Sequence, residues 1–171
     1  AHLLRIRDLA SEALASLQPD PLPDPLPDEP LPFITDNQAT AYSVTVESAQ
    51  VVPKWFISTV RKVPSGGKHN VYVYAFDERG IRVSDPRIRI GWTWEGRQPN
   101  QLADPRPLDK PIGEAHGNID MYWAQTLSVW LEGDGLPSDK ASGFHIRWRN
   151  DATGKPGHHC FEVVFNRVVP F

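Results

Sequence analysis

NVYVYAFDERGIRVSDPRIRIGWTW (residues 70–94) decides the fold. Ile88, Ile90, Trp92 and Trp94 fall on one parity, and Arg87, Arg89, Gly91 and Thr93 on the other, which is the period-two pattern of a half-buried strand. Upstream, Val71, Val73 and Ala75 alternate with Tyr72, Tyr74 and Phe76. Both faces of that segment are apolar, so it reads as a central strand covered on each side. Between the two, Asp77-Glu78-Arg79-Gly80 predicts a type I turn closed by a glycine in the left-handed region, a common hairpin connection. The stretch therefore predicts two or three neighbouring strands.

The same reading extends outward. Tyr42, Val44 and Val46 alternate with polar residues, and residues 55–63 (WFISTVRKV) give a further strand after Pro53, ended by Pro64-Ser65-Gly66-Gly67. Residues 95–118 carry Pro99, Pro105, Pro107 and Pro111 without periodicity and are expected to form an ordered crossover loop. Met121, Trp123, Leu127, Val129 and Leu131 share one parity, which predicts one half-buried strand over 121–131. Phe144, Ile146 and Trp148 predict another, and His158 to Val168 the last. About eight short strands joined by turns, with no helix among them, predict an all-β domain: an antiparallel β-sandwich over residues 35–171.

The N-terminal part differs. Residues 3–17 (LLRIRDLASEALASL) are good helix formers, and Leu3, Ile6, Ala10, Ala13 and Leu17 draw a narrow apolar stripe, so an amphipathic helix is expected over residues 1–18. About four turns are marginal alone in water, and the stripe needs something to lie against. Residues 19–34 contain the repeated Pro-Leu-Pro-Asp of an acidic arm. Its prolines hold the backbone near polyproline II, giving a semi-rigid spacer on the order of 40 Å long at about 3.1 Å per residue. Residues 1–34 are thus expected to dock on other protein subunits, in a homo-oligomer or a larger assembly.

The 171 residues carry 18 basic and 21 acidic side chains, a formal charge of -3, so no positive field draws a nucleic acid and none is expected as partner. No apolar run approaches the roughly 18 residues that would span a bilayer, and residues 1–20 lack the layout of a secretory leader; a soluble chain without a membrane span is expected. Cys160 is the one cysteine, which removes internal disulfides and cysteine cages.

Chemistry-bearing clusters are sparse. His69, His116, His145, His158 and His159 sit in the β domain without metal-ligand spacing, and strand alternation sends His158 and His159 to opposite faces. They are expected to bond loop carbonyls. Glu132, Asp134 and Asp139 could offer oxygens to calcium, yet the EF-hand spacing is absent. Ser138 beside Asp139 satisfies a hydrolase only in residue types, and no nucleophile elbow, phosphate loop or dinucleotide fingerprint appears. No catalytic residue, metal or cofactor is expected. The aromatic residues say more. Trp92, Trp94, Trp123 and Trp148 share faces with aliphatic neighbours and are expected in the core. Trp130 and Tyr122 share parity with Thr126 and Ser128, and an aromatic on a polar face is available to stack on a sugar ring. Arg87 and Arg89, with Arg147 and Arg149, lie on outward faces and can donate to hydroxyls or carboxylates. Trp130, Tyr122, Arg87 and Arg89 are the expected ligand-binding residues.

VYVYAFDERGIRVSDPRIRIGW (residues 71–92) resembles the strand, Asp-x-x-Gly turn, strand pattern of carboxypeptidase regulatory-like and fibronectin-III-like sandwich domains. A wider set, His69-Asn70, Leu108-Asp109-Lys110-Pro111, Leu136-Pro137-Ser138-Asp139 and Gly157-His158-His159-Cys160-Phe161, resembles an uncharacterised β domain found beside cell-wall hydrolase modules in bacterial secreted and phage proteins. The resemblance implies an accessory or structural role, extracellular or in a virion, with no catalytic residues to carry over. With the exposed aromatics, the expected partner is a glycan or cell-wall polysaccharide; a purely structural subunit such as a phage decoration or fibre protein, docked through the N-terminal helix and arm, is the alternative.

Overall fold

The computed structural model describes residues 39–146 and 159–170. The expected helix and proline arm lie outside them, as do Arg147, Trp148, Arg149, His158 and residues 150–157. A 3-10 turn at Ala39–Tyr42 leads into nine strands: β1 (Thr45–Glu47), β2 (Lys54–Val63), β3 (Asn70–Phe76), β4 (Arg89–Trp94), β5 (Arg106–Pro107), β6 (Gly117–Asp120), β7 (Leu127–Glu132), β8 (Lys140–Phe144) and β9 (Cys160–Val168). One sheet has the order β1-β8-β7-β4-β5, the other β2-β9-β3-β6. No helix among the described residues is long and apolar enough to cross a membrane.

Alternation builds one shared core. Ile90, Val129, Leu131, Ala141 and Phe144 come from the first sheet, and Trp55, Val60, Val71, Val73, Phe161, Val163 and Phe165 from the second; all are buried in a single cluster. Phe144 meets Phe161 edge to face across it, 5.3 Å between ring centres. The described residues are therefore nearly all β and sandwich-like. Each fully buried Leu, Ile or Phe contributes about 1.5–3 kcal/mol relative to exposure. Among the nine strands pairing is antiparallel except for β3 with β9, which is parallel. The exception follows from the insertion: β9 lies between β2 and β3, which run in opposite directions, so it must parallel one of them.

Four expectations are corrected. The first concerns the deciding stretch, whose two strands are not neighbours: β3 and β4 belong to different sheets. The turn forms as expected, with Gly80 at φ 75°, its N–H on the Asp77 carbonyl at 3.0 Å and Asp77 Oδ1 accepting the Arg79 and Ile81 N–H groups. The returning chain makes one bridge, Phe76 with Arg82. Asp85 then takes the N–H of Arg87 on its side chain and that of Ile88 on its carbonyl, and this second turn delivers β4 to the other sheet. Second, residues 95–118 contain β5 and the start of β6, which are too short to show a period. Third, the strand expected over 121–131 begins only at Leu127. A turn with the Gln125 N–H on the Tyr122 carbonyl interrupts it and leaves Trp123 53% exposed rather than in the core. Trp55, with its indole N–H on Asp134 Oδ2 at 2.9 Å, is fully buried in the core instead. Fourth, β8 ends at Phe144, two residues before Ile146. Gly143, at φ 108°, is the extra residue of a bulge against β7, and a Cβ there would stand 2.5 Å from the Ser43 carbonyl oxygen.

Candidate functional site

A cleft of about 300 Å³ opens where the edge strands of the two sheets meet. Arg106 and Pro107 of β5 and Trp92 of β4 line it from the first sheet; Asn118, Ile119 and Asp120 of β6 line it from the second. Asp109 and Lys110 come from the loop between β5 and β6, and Tyr122 from the turn after β6.

Each wall is fixed by the local sequence. Trp92 shares the inward parity of Ile90 but sits near the end of β4, where the core runs out, so it is half-buried. Its indole N–H donates to the Asp104 carbonyl at 2.9 Å, and Trp94 lies beside it with ring centres 5.4 Å apart. Tyr122 is 58% exposed. Asp120 faces outward from β6, and its Oδ1 accepts Asn70 Nδ2 at 2.6 Å and Asn118 Nδ2 at 3.5 Å. The 108–116 loop is pinned from behind. The Arg82 guanidinium donates to the carbonyls of Lys110 and Pro111, the Lys110 N–H to the His116 carbonyl, and the Ala75 N–H to His116 Nδ1 at 2.9 Å. Burial first, and then the Arg82 charge, pushes the His116 imidazole down to about 4. It stays neutral, as an acceptor at Nδ1 must. Two half-fixed aromatic rings beside an amide, two carboxylates and two cations can stack on a flat ligand and exchange hydrogen bonds with its edge.

Of the four expected ligand-binding residues, only Tyr122 reaches this cleft. Trp130 lies on the outer face of the first sheet, flat across Gly91, its partner in the β4–β7 ladder. A Cβ on Gly91 would stand 2.2 Å from the indole nitrogen, which donates to Glu132 Oε2 at 2.8 Å. Arg89 pairs in the ladder with Glu132 on that same face. Arg87 precedes β4 and forks onto Asp85 at 2.6 Å. That guanidinium, followed by the Arg87 N–H, holds the Asp85 carboxyl down to about 2.

The acidic and nucleophilic candidates are engaged elsewhere. Asp139 is buried, taking Ser48 Oγ, the Ala49 N–H and Lys54 Nζ on Oδ1 and the Ile57 N–H on Oδ2. Ser138 Oγ accepts the Leu131 N–H and donates to the Asp139 carbonyl. Asp134 accepts Trp55 and the Leu136 N–H. Among the described residues no three His, Cys, Asp or Glu side chains form a metal-binding group. Sequence reasoning missed Arg106, Asp109, Lys110, Asn118 and Asp120. Two signals were present: Leu108-Asp109-Lys110-Pro111 supplies two cleft residues, and Asn70 of His69-Asn70 orients Asp120. Compared with known proteins, the chain matches no family model, no curated sequence and no solved structure.

Proposed function

We propose that the chain is a non-catalytic binding module of an extracellular or virion assembly, an Ig- or fibronectin-III-like sandwich that holds a glycan in the edge cleft. The observation that carries this reading is the pairing of Trp92 and Tyr122 with Asn118, Asp120 and Arg106 around one concavity. A sugar ring presents an apolar face and a polar rim, which is the complement of that wall. The test is retention on insoluble polysaccharide. Tyr122→Ala is expected to abolish it without lowering the unfolding midpoint, because the ring is exposed. Loss with Trp130→Ala and not with Tyr122→Ala would move the site to the outer sheet face.

A purely structural subunit is the second reading. Leu102, Ile112 and Trp123 are all exposed, and such side chains suit protein contacts. A wild-type chain that binds no polysaccharide yet self-associates would favour it.

A further inference from the structure

Across the chain acids outnumber bases, 21 to 18, whereas the cleft lining holds as many cations as carboxylates, two of each. Arg106 and Lys110 line it, and Arg82 stands behind the loop with its donors on backbone carbonyls. Among the described residues none of these three makes an ion pair. The cleft carboxylates are Asp109, exposed and without a side-chain bond among the described residues, and Asp120, whose Oδ1 is already committed to Asn70 and Asn118. Arg106 and Lys110 are exposed, and a ligand carboxylate gives each of them a charge-assisted hydrogen bond that no side chain among the described residues supplies.

We infer that the cleft takes a carboxylate-bearing sugar, a uronic acid within a glycan chain. The carboxylate lies on Arg106 and Lys110, the ring face on Trp92 or Tyr122, and the hydroxyls on Asn118 and Asp120. A guanidinium fork matches a carboxylate in geometry as well as charge, which a hydroxyl pair does less well. The inference rests on the glycan reading above and adds a charge class to it. A cleft of about 300 Å³ has room for a short stretch of such a chain.

Titration calorimetry of the full chain with trigalacturonate, with its carboxyl-reduced counterpart and with inorganic phosphate tests this. Trigalacturonate is expected to bind at least tenfold more tightly than the reduced sugar, and less tightly as salt is raised. Arg106→Gln and Lys110→Gln should each weaken binding about ten- to a hundredfold, the worth of one charged hydrogen bond. Asp109→Asn should strengthen it by removing a like charge. Equal binding of acidic and reduced sugars, both lost with Tyr122→Ala, would overturn the acid class and leave the glycan reading intact. Binding of neither sugar would remove both. Phosphate that competes as well as trigalacturonate would show a plain anion site and overturn the inference, as would an Asp109→Asn variant as weak as Arg106→Gln.

Discussion

Asp139→Ala is the substitution that most directly separates a structural carboxylate from a chemical one. Four donors converge on this side chain, which is 1% exposed: Ser48 Oγ at 3.1 Å, the Ala49 N–H at 2.9 Å, Lys54 Nζ at 2.9 Å and the Ile57 N–H at 3.0 Å. Through them, and through the backbone bonds of Trp55 to Pro137 and Asp139, the start of β2 is tied to the loop before β8. Removing the carboxylate strands two backbone donors, at roughly 1–3 kcal/mol each when buried. It also uncovers the Lys54 ammonium. Breaking a buried pair by deleting one partner costs about 3–5 kcal/mol, but Lys54 Nζ keeps Ser48 Oγ and the Ala49 carbonyl. Because the two costs share donors they do not add fully, and the expected loss is about 3–5 kcal/mol. Urea unfolding followed by tryptophan fluorescence measures it, since Trp55 sits beside the clamp; the slope against urea should not change. Adding Lys54→Met to Asp139→Ala should cost less than the sum of the two single losses, by roughly 1–3 kcal/mol. A loss below about 1 kcal/mol for Asp139→Ala, or strict additivity with Lys54→Met, would refute the reasoning.

Two further expectations probe the surroundings of the cleft and the opposite sheet face. His116 is neutral in the folded chain down to about 4, whereas an unfolded imidazole takes its proton near 6.5. The unfolded state therefore binds more protons in that window, so stability should be flat above about pH 6.5 and fall as pH drops towards 4. Urea midpoints across this range should slope less in His116→Gln; identical slopes would remove His116 as the cause. Gly91→Ala should destabilise by about 1–3 kcal/mol, because its methyl group displaces the Trp130 indole and breaks the bond to Glu132. Unchanged unfolding and unchanged Trp130 emission would mean that the indole does not rest on that glycine.

What was legible in the sequence was whatever repeats. The long strands β2, β3, β4 and β9 show a period of two, and their inward residues, such as Val71, Val73, Phe161 and Phe165, are the core. Partnership was less legible, because a turn signal says that the chain reverses and not how long the reversal lasts. Asp77 to Gly80 makes a sound turn, yet the hairpin ends after one bridge when Asp85 and Pro86 start another. Parity also misled where a strand stopped unannounced: Trp123 follows the alternation of Leu127 and Val129 but precedes the turn at Gln125, so its side chain points to water.

The cleft was the least legible part, because the strands that frame it are short. β5 has two residues and β6 four, so neither can display a pattern. Short edge strands are also how a sheet avoids pairing with another chain, and they leave side chains such as Arg106 and Asp109 turned towards solvent. The outward side chains there are held by contacts that sequence spacing does not encode: Asn70 on Asp120, Arg82 on the Lys110 carbonyl, His116 under the loop. Those contacts pair residues 28 to 50 positions apart in the chain. The same separation makes them testable as a unit, since loosening Arg82 should disturb Asp109 and Lys110 in the cleft while leaving the buried faces of β3 and β9 in place.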